Sequence, residues 1–164
     1  MNNSNAFTLI ELLVVMAIMG ILMTIGTLNF SYYITKGKVE GQTKELYSDL
    51  MSARTQALTK QRANRVVISA TQFQMYSSQD PGALLFTKTL KYGVTWAGGG
   101  TSKTIDFDER GLFSVVSNSN TSICVNGSVG DSAVYNSVVV FSTRMHMGKL
   151  NVGGSCASDN IDVK

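Results

Sequence analysis

FTLIELLVVMAIMGILMTIGTL, residues 7–28, is an apolar run whose only ionisable side chain is Glu11. As a helix rising about 1.5 Å per residue it extends roughly 33 Å, and the hydrocarbon core of a bilayer is about 30 Å thick. In lipid, every backbone N–H and C=O must be satisfied within the segment, so we expect a helix despite the many β-branched residues. The run predicts a membrane span around which the rest of the chain is arranged.

Glu11 is the unusual residue of this run. A carboxylate inside a membrane costs a few kcal/mol and is normally paired, so Glu11 is a candidate functional residue. The alternative is that Glu11 lies near the membrane face, where it reaches water or is protonated.

A short polar leader, MNNSNA, precedes Phe7, and Phe7-Thr8-Leu9-Ile10-Glu11-Leu12 opens the apolar run. This arrangement resembles the processing and N-methylation motif of the type IV pilin superfamily, which includes type IV pilins and the pseudopilins of type II secretion. The resemblance implies that a prepilin peptidase cuts between Ala6 and Phe7, that Phe7 is then N-methylated, and that Glu11 guides subunit assembly. Ala6 stands where the family usually has Gly.

Charge chemistry is consistent with this assignment. Cleavage would create an α-ammonium on Phe7, and Glu11 of a neighbouring subunit could neutralise it within a bundle of helices.

Length and composition limit the rest of the chain to one small domain. The chain has 164 residues, of which 15% are charged, and its formal net charge of +3 is too small to indicate nucleic acid by itself. The apolar run is too long for a removable signal segment and should remain as an anchor. We therefore divide the chain into a leader (1–6), a transmembrane half-helix (7–29), a soluble amphipathic half-helix (30–63) and a β-sheet domain (64–164).

The soluble half of the helix has an apolar face with helical spacing. Its members are Val39, Leu46, Leu50, Ala53 and Ala57, and the opposite face carries Lys38, Glu45, Asp49 and Lys60. The helix should end near residues 61–64.

After Asn64 the apolar pattern changes to a period of two, and Gln79-Asp80-Pro81-Gly82 reads as a turn. The predicted strands are 65–70, 72–77, 84–92, 104–107, 122–125, 134–141 and 145–152. A run of strands after one long helix favours an α+β fold, in which the helix packs its apolar face on an antiparallel sheet.

Several of these segments resemble the H-type minor pseudopilins of type II secretion and the FimT-like minor type IV pilins. The segments are 48–50 and 53–57 on the helix, Thr104–Phe107 leading to Gly111, and Phe141-Ser142-Thr143-Arg144. Thr143-Arg144 departs from the Gly-Arg pair usual in such chains.

Other candidate sites are weak. Residues 98–104, GGGTSKT, only superficially resemble a phosphate loop and are better explained as a strand connection. His146 has no evident catalytic partner, and Asp106, Asp108 and Glu109 lack the spacing of a known calcium loop. We therefore predict no catalytic residue, no cofactor and no metal site.

Cys124 and Cys156 lie in the segment that we place outside the cytoplasm, where oxidation is the default state of a cysteine pair. A disulfide would close a loop of about 32 residues. Two free buried thiols are the alternative.

Three classes of function compete. The leading hypothesis is a structural subunit: a minor pseudopilin of the periplasmic pseudopilus, anchored in the inner membrane by one span, whose partners are prepilin peptidase and the major and other minor subunits. The second is a minor pilin whose β-domain binds DNA or a surface through a basic face drawn from Lys88, Lys91, Lys103, Arg110 and Lys149. The third, a membrane-anchored enzyme, lacks a nucleophile or metal constellation.

Overall fold

The fold is described from a computed structural model that covers residues 7–78, 82–115, 120–127 and 132–163. The leader predicted at 1–6 lies outside the described residues, and so do the first three residues of the turn predicted at 79–82.

A single long helix, α1, spans Leu9–Lys60. Gln61 follows with a φ of 49°, in the left-handed region. The Arg62 N–H donates to the carbonyl oxygen of Ala57 at 3.2 Å. This is the Schellman arrangement, which satisfies free carbonyls at a helix C-terminus. The helix therefore ends next to the predicted position, and Asn64 already belongs to a strand.

The chain forms two compact units, Met1–Ile34 and Thr35–Lys164. In the first unit, every helix side chain described from Leu9 to Ile25 is exposed to solvent. Within α1 lies an apolar window with a mean hydropathy of 2.5, long enough to cross a membrane by length and composition. An exposed apolar surface this large requires lipid or other helices around it. The domain boundaries at 29/30 and 63/64 stay predictions.

The described residues of the second unit form ten strands, all paired antiparallel. They are β1 Asn64–Ser69, β2 Gln72–Tyr76, β3 Leu84–Thr89, β4 Val94–Trp96, β5 Ser102–Phe107, β6 Phe113–Val115, β7 Asn120–Val125, β8 Ser137–Phe141, β9 Met145–Leu150 and β10 Ile161–Val163.

Over the part of the chain that the structure describes, there are two five-stranded sheets instead of the one sheet expected from the sequence. Their strand orders are β3-β2-β1-β5-β6 and β10-β9-β8-β7-β4. The predicted α+β class, one long helix packed on antiparallel sheets, is confirmed. A short 3₁₀ turn, Ser158–Asn160, precedes β10.

One apolar core joins the helix to both sheets. The predicted helix face is confirmed, because Val39, Leu46, Leu50, Ala53 and Ala57 are all fully or almost fully buried. The first sheet contributes residues such as Ile68 and Phe107, and the second contributes Ile123, Val138 and Val140.

The second sheet also has a smaller core on its other face. Cys124, Val139 and Ile161 are buried there, with Phe141, Leu150 and Cys156 packed around them. This cluster fastens the C-terminal segment to the sheet.

Candidate assembly site

The start of α1 is built by a side-chain cap. The hydroxyl oxygen of Thr8 accepts the N–H of Glu11 at 3.3 Å, and the Thr8 carbonyl accepts the N–H of Leu12 at 3.3 Å. Thr8 is therefore the N-cap and Glu11 is the third helical residue, which is the Ser/Thr-x-x-Glu pattern of a capping box. The pattern is visible in the sequence, but the cap at Thr8 was not predicted, because Glu11 was considered only for a membrane or assembly role.

Phe7 and Glu11 lie on exposed surface. Phe7 is 81% exposed and precedes the helix, and Glu11 is in the first turn, where the helix dipole favours a carboxylate. Every other side chain from Leu9 to Ile25 is uncharged. A neighbouring helix that packs on this stretch would meet an apolar surface with one carboxylate.

Ala6 lies outside the described residues, so cleavage before Phe7 and methylation of Phe7 stay predictions. The assembly role of Glu11 also stays a prediction.

In the second unit, the structure brings together two positions on which the minor-pseudopilin resemblance depended. The Arg54 Nη2 on α1 donates to the Thr143 carbonyl at 3.1 Å, and the guanidinium carbon lies 5.6 Å from the centre of the Phe113 ring. Arg54 thus joins the helix to the turn between β8 and β9 and to β6. These contacts give the arginine an architectural role.

Lys88 forms an ion-paired cluster that the sequence did not reveal. Its Nζ lies 2.7 Å from Glu45 Oε1 and 2.8 Å from Asp49 Oδ2. Burial acts to lower the pKa of Lys88, but hydrogen bonds to Asp49 and Glu45 outweigh it and raise that pKa. Glu45 and Asp49, which were placed on the helix face opposite the apolar one, therefore hold β3 against α1.

The five basic residues proposed as a DNA-binding face are divided between the two sheets and their loops. Lys88 is paired as described, and Arg110 Nε lies 3.4 Å from Asp108 Oδ2. Lys103 is in β5 of the first sheet, and Lys149 is in β9 of the second. Two of the five are therefore ion-paired with carboxylates, and the other three are distributed over both sheets and their loops.

The carboxylates considered for calcium have other roles. Asp106 makes a two-pronged ion pair with Arg65, at 2.7 and 3.0 Å. Asp108 Oδ1 accepts the N–H groups of Leu112 and Arg110, and these bonds, the Leu112 bond foremost, lower the pKa of Asp108. Among the described residues, no group of three or more His, Cys, Asp or Glu side chains could hold a metal ion.

The remaining motifs are structural. The His146 ring lies edge-on to Phe141, with ring centres 6.0 Å apart. The three glycines at 98–100 all have positive φ, and the Gly99 carbonyl accepts the Trp96 indole N–H at 2.8 Å. This geometry is that of a tight connection from β4 to β5.

Cys124 and Cys156 are bonded to each other, with an S–S distance of 2.03 Å. The Ser122 hydroxyl also donates to the Cys156 carbonyl at 2.9 Å. The alternative of two free thiols is therefore excluded in this structure.

Comparison with known families finds two matches. Residues 1–27 match the prokaryotic N-terminal methylation motif. Residues 42–143 match the family described as type II transport protein GspH. A comparison with curated proteins finds none that matches the chain.

Among solved structures, the chain is similar to the type IV minor pilin FimU of Pseudomonas aeruginosa. One crystal form aligns with a TM-score of 0.51 at 15% identity, over 70% of this chain and 91% of that chain. A second crystal form aligns with a TM-score of 0.47 at 16% identity, over 65% and 90%. At this level of identity, the first alignment shows the fold alone.

Proposed function

Since this chain belongs to the GspH family of type II transport proteins, we propose that it is a minor pseudopilin, a structural subunit of the periplasmic pseudopilus of a type II secretion system. The match of residues 42–143 to that family carries the proposal. The methylation motif and the pilin-like fold make the chain a minor pseudopilin or a minor pilin. These findings do not distinguish the two, and the assignment to a pseudopilus is our proposal. The role is structural, and we assign no residue to catalysis.

In this role α1 anchors the subunit in the inner membrane, and the sheets lie in the periplasm. Prepilin peptidase cuts before Phe7, and the new α-ammonium is N-methylated. When the subunit enters the filament, Glu11 pairs with the Phe7 ammonium of an adjacent subunit. The single carboxylate in an otherwise uncharged exposed helix surface supports this pairing.

The second candidate is a minor pilin that binds DNA or a surface. The likeness to a type IV minor pilin in fold supports the pilin part of this alternative. The scattered and partly ion-paired basic residues do not favour DNA.

Glu11→Gln tests the proposal. Glutamine at the third helical position preserves the capping box, so helix initiation at Thr8 should be unchanged. It removes the counter-charge of a buried ammonium, a loss of about 3–5 kcal/mol where both groups are desolvated. In a type II secretion strain that lacks the gene, the wild-type chain should restore secretion and co-purify with the major pseudopilin. The Glu11→Gln chain should reach the membrane, be cleaved, and co-purify at least tenfold less.

Glu109→Gln is the matched control, because it removes an exposed carboxylate from the second unit. It should behave as wild type. Normal incorporation of the Glu11→Gln chain would overturn the pairing. A wild-type chain that co-purifies with a major pilin and leaves secretion unchanged would favour the second candidate.

A further inference from the structure

Three lysines lie at the end of the second unit where α1 enters it. They are Lys36, Lys38 and Lys91, and we call them the entry lysines. Thr35 is the first residue of the unit, and Lys36 and Lys38 follow it in α1. Lys91 belongs to the loop between β3 and β4. Lys38 and Lys91 are exposed to solvent, and Lys36 is half-buried.

Gln42 brings Lys91 to this end of the unit. The Gln42 Oε1 accepts the Tyr92 N–H at 2.8 Å, and the Gln42 Nε2 donates to the Tyr92 carbonyl at 2.6 Å. Gln42 is buried, and Lys38 lies one helical turn before it on the same side of α1. Lys91 directly precedes Tyr92. The two hydrogen bonds therefore hold Lys91 beside the part of α1 that carries Lys38.

The loop that carries Lys91 is fixed on both sides. The Leu90 N–H donates to the Thr71 carbonyl at 2.7 Å, and the Val94 N–H donates to the Ala70 carbonyl at 2.9 Å. Leu90 and Val94 are themselves buried in the main core. Lys91 is thus an exposed side chain on an ordered backbone. A ligand that binds it has only the side chain to immobilise, which keeps the entropic cost of binding low.

The entry lysines are not neutralised by the protein. Among the residues that the structure describes, none of the three forms an ion pair with a carboxylate. Glu40 is the acidic residue that follows them in α1, and its Oε1 accepts the Val134 N–H at 2.8 Å. Lysine ammonium groups act as compact point charges and bind phosphate oxygens in that way. This end of the unit therefore suits an anion that carries a phosphate.

The length of the chain brings these lysines close to a bilayer surface, and this step rests on the membrane anchoring of α1 in the proposed function. The apolar run ends at Leu28, and six residues separate it from Thr35. As a helix they rise about 9 Å, and the headgroup layer on each side of a bilayer is roughly 5–8 Å thick. Helix side chains lean toward the N-terminus of their helix, so Lys36 and Lys38 lean toward the membrane. Lysine stems are long enough to reach the lipid phosphates.

We propose that Lys36, Lys38 and Lys91 bind the headgroup of an anionic phospholipid, of which phosphatidylglycerol is the test case. Their ammonium groups contact the phosphate oxygens of that headgroup. A zwitterionic headgroup brings an ammonium of its own, so the site selects lipids with net negative charge. Lipid is the ligand rather than nucleic acid because the anchor keeps the site at a bilayer. The contact keeps the second unit at the bilayer surface until the subunit leaves the membrane.

Photocrosslinking in vesicles tests the proposal with the full-length chain. A photoreactive amino acid replaces Gly37, which lies between two of the entry lysines and has nothing within 4 Å of an added Cβ. The chain is reconstituted in vesicles of phosphatidylcholine and phosphatidylglycerol, and the crosslinked lipids are identified by mass spectrometry. Enrichment is the ratio of phosphatidylglycerol to phosphatidylcholine on the protein, divided by the same ratio in the vesicles.

The parent chain should enrich phosphatidylglycerol at least threefold, since one basic residue near an anionic surface gives a preference of roughly fivefold. Lys38→Gln/Lys91→Gln should lower the enrichment to about one, because a single half-buried lysine is left. Lys60→Gln/Arg62→Gln is the matched control, since it also removes two exposed positive charges but at the C-terminal end of α1. It should keep the parent's enrichment, and so should Lys38→Arg/Lys91→Arg, which preserves both charges.

Equal enrichment in the parent and in Lys38→Gln/Lys91→Gln would overturn the proposal. An equal loss in Lys60→Gln/Arg62→Gln would also overturn it, because only the overall charge of the chain would then matter. Resistance to alkaline extraction from the vesicles is measured in the same samples. A parent chain that resists extraction but shows no enrichment refutes the lipid site alone. A parent chain that is extracted refutes the anchoring on which the proposed function depends.

Discussion

Reduction of the Cys124–Cys156 disulfide should destabilise the second unit by an amount that follows from its position. The bond joins β7 to the segment before β10 and closes a loop with a sequence separation of 32. In the chain-entropy model a loop of this length restricts the unfolded chain by about 3.7 kcal/mol. For a domain of this size, that corresponds to a fall in Tm of roughly 15 °C.

Reduction is a cleaner perturbation than mutation here. Cys124 is almost fully buried in the smaller core, so Cys124→Ala would add the cost of a cavity. The reduced chain keeps both sulfur atoms and loses only the covalent link. The comparison therefore isolates the loop term.

The assay is urea unfolding of a fragment that starts at Thr35, the first residue of the second unit, with and without a phosphine reductant. The reduced fragment should unfold at lower urea, with a free energy of unfolding smaller by about 3–4 kcal/mol. A Cys156→Ala fragment, which has no disulfide, should not respond to the reductant. A difference below about 1 kcal/mol would refute the reasoning and would mean that Ile161 and its neighbours hold the C-terminal segment without the bond.

Two further predictions concern the loop between β5 and β6. Gly111 has a φ of 68°, and a Cβ there would lie 2.8 Å from Leu58 Cγ, whereas Gly153 has a φ of 74° with nothing within 4 Å. Gly153→Ala should therefore lower the free energy of unfolding in urea only by the backbone strain, about 1–2 kcal/mol. Gly111→Ala should lower it further, because its Cβ also meets Leu58. Equal losses in the two variants would mean that the Leu58 side chain moves aside. Asp108 has a pKa below its usual 3.8, held down chiefly by the Leu112 N–H. Its contribution to stability is therefore present above that usual value and is lost as the pH falls below it, through the lowered pKa of the folded state. The stability advantage of the wild-type fragment over Asp108→Asn should shrink as the pH is lowered from about 6 to about 3, and a constant gap would contradict this assignment.

The helix was the part most readily predicted from the sequence, because its pattern is local. The buried positions of α1 repeat with helical spacing, and an exposed apolar run of this length has few other solutions. Longer strands such as β1 and β8 were also found. The three-residue strands β4, β6 and β10 were missed, because three residues do not show a period of two.

The division into two sheets depends on contacts between distant residues. β1 pairs with β5 across the intervening β2, β3 and β4, and nothing in either segment alone specifies that partner. The ion cluster of Lys88 has the same origin. Glu45 and Asp49 were placed on the charged face of the helix and Lys88 on a candidate DNA-binding face, because sequence alone does not show which charges meet.

The proposed roles of Phe7 and Glu11 come from a motif that resembles a known one, and they stay predictions. The disulfide between the two cysteines was predicted from their expected compartment and is present in the structure. A groove lined by Gln56 and Lys60 of α1 and by Phe86 of β3 was not predicted, because it depends on how the helix packs on a strand that is distant in sequence.

The exposed apolar side chains of residues 9–25 in α1 affect the free energy needed to move the subunit out of a membrane. Hydrocarbon tails and the side chains of packed helices are nearly equivalent surroundings for leucine and isoleucine. Transfer of residues 9–25 from lipid to the centre of a filament is therefore close to neutral for those side chains, provided that neighbours replace the lipid at every step. Under the proposed pairing, Glu11 is the group whose surroundings change most, because it leaves the membrane to meet the Phe7 ammonium of a neighbour. If the apolar side chains contribute little net free energy to assembly, assembly depends mainly on one polar contact and would be readily reversible. A subunit could then be inserted and withdrawn repeatedly without loss of its anchor.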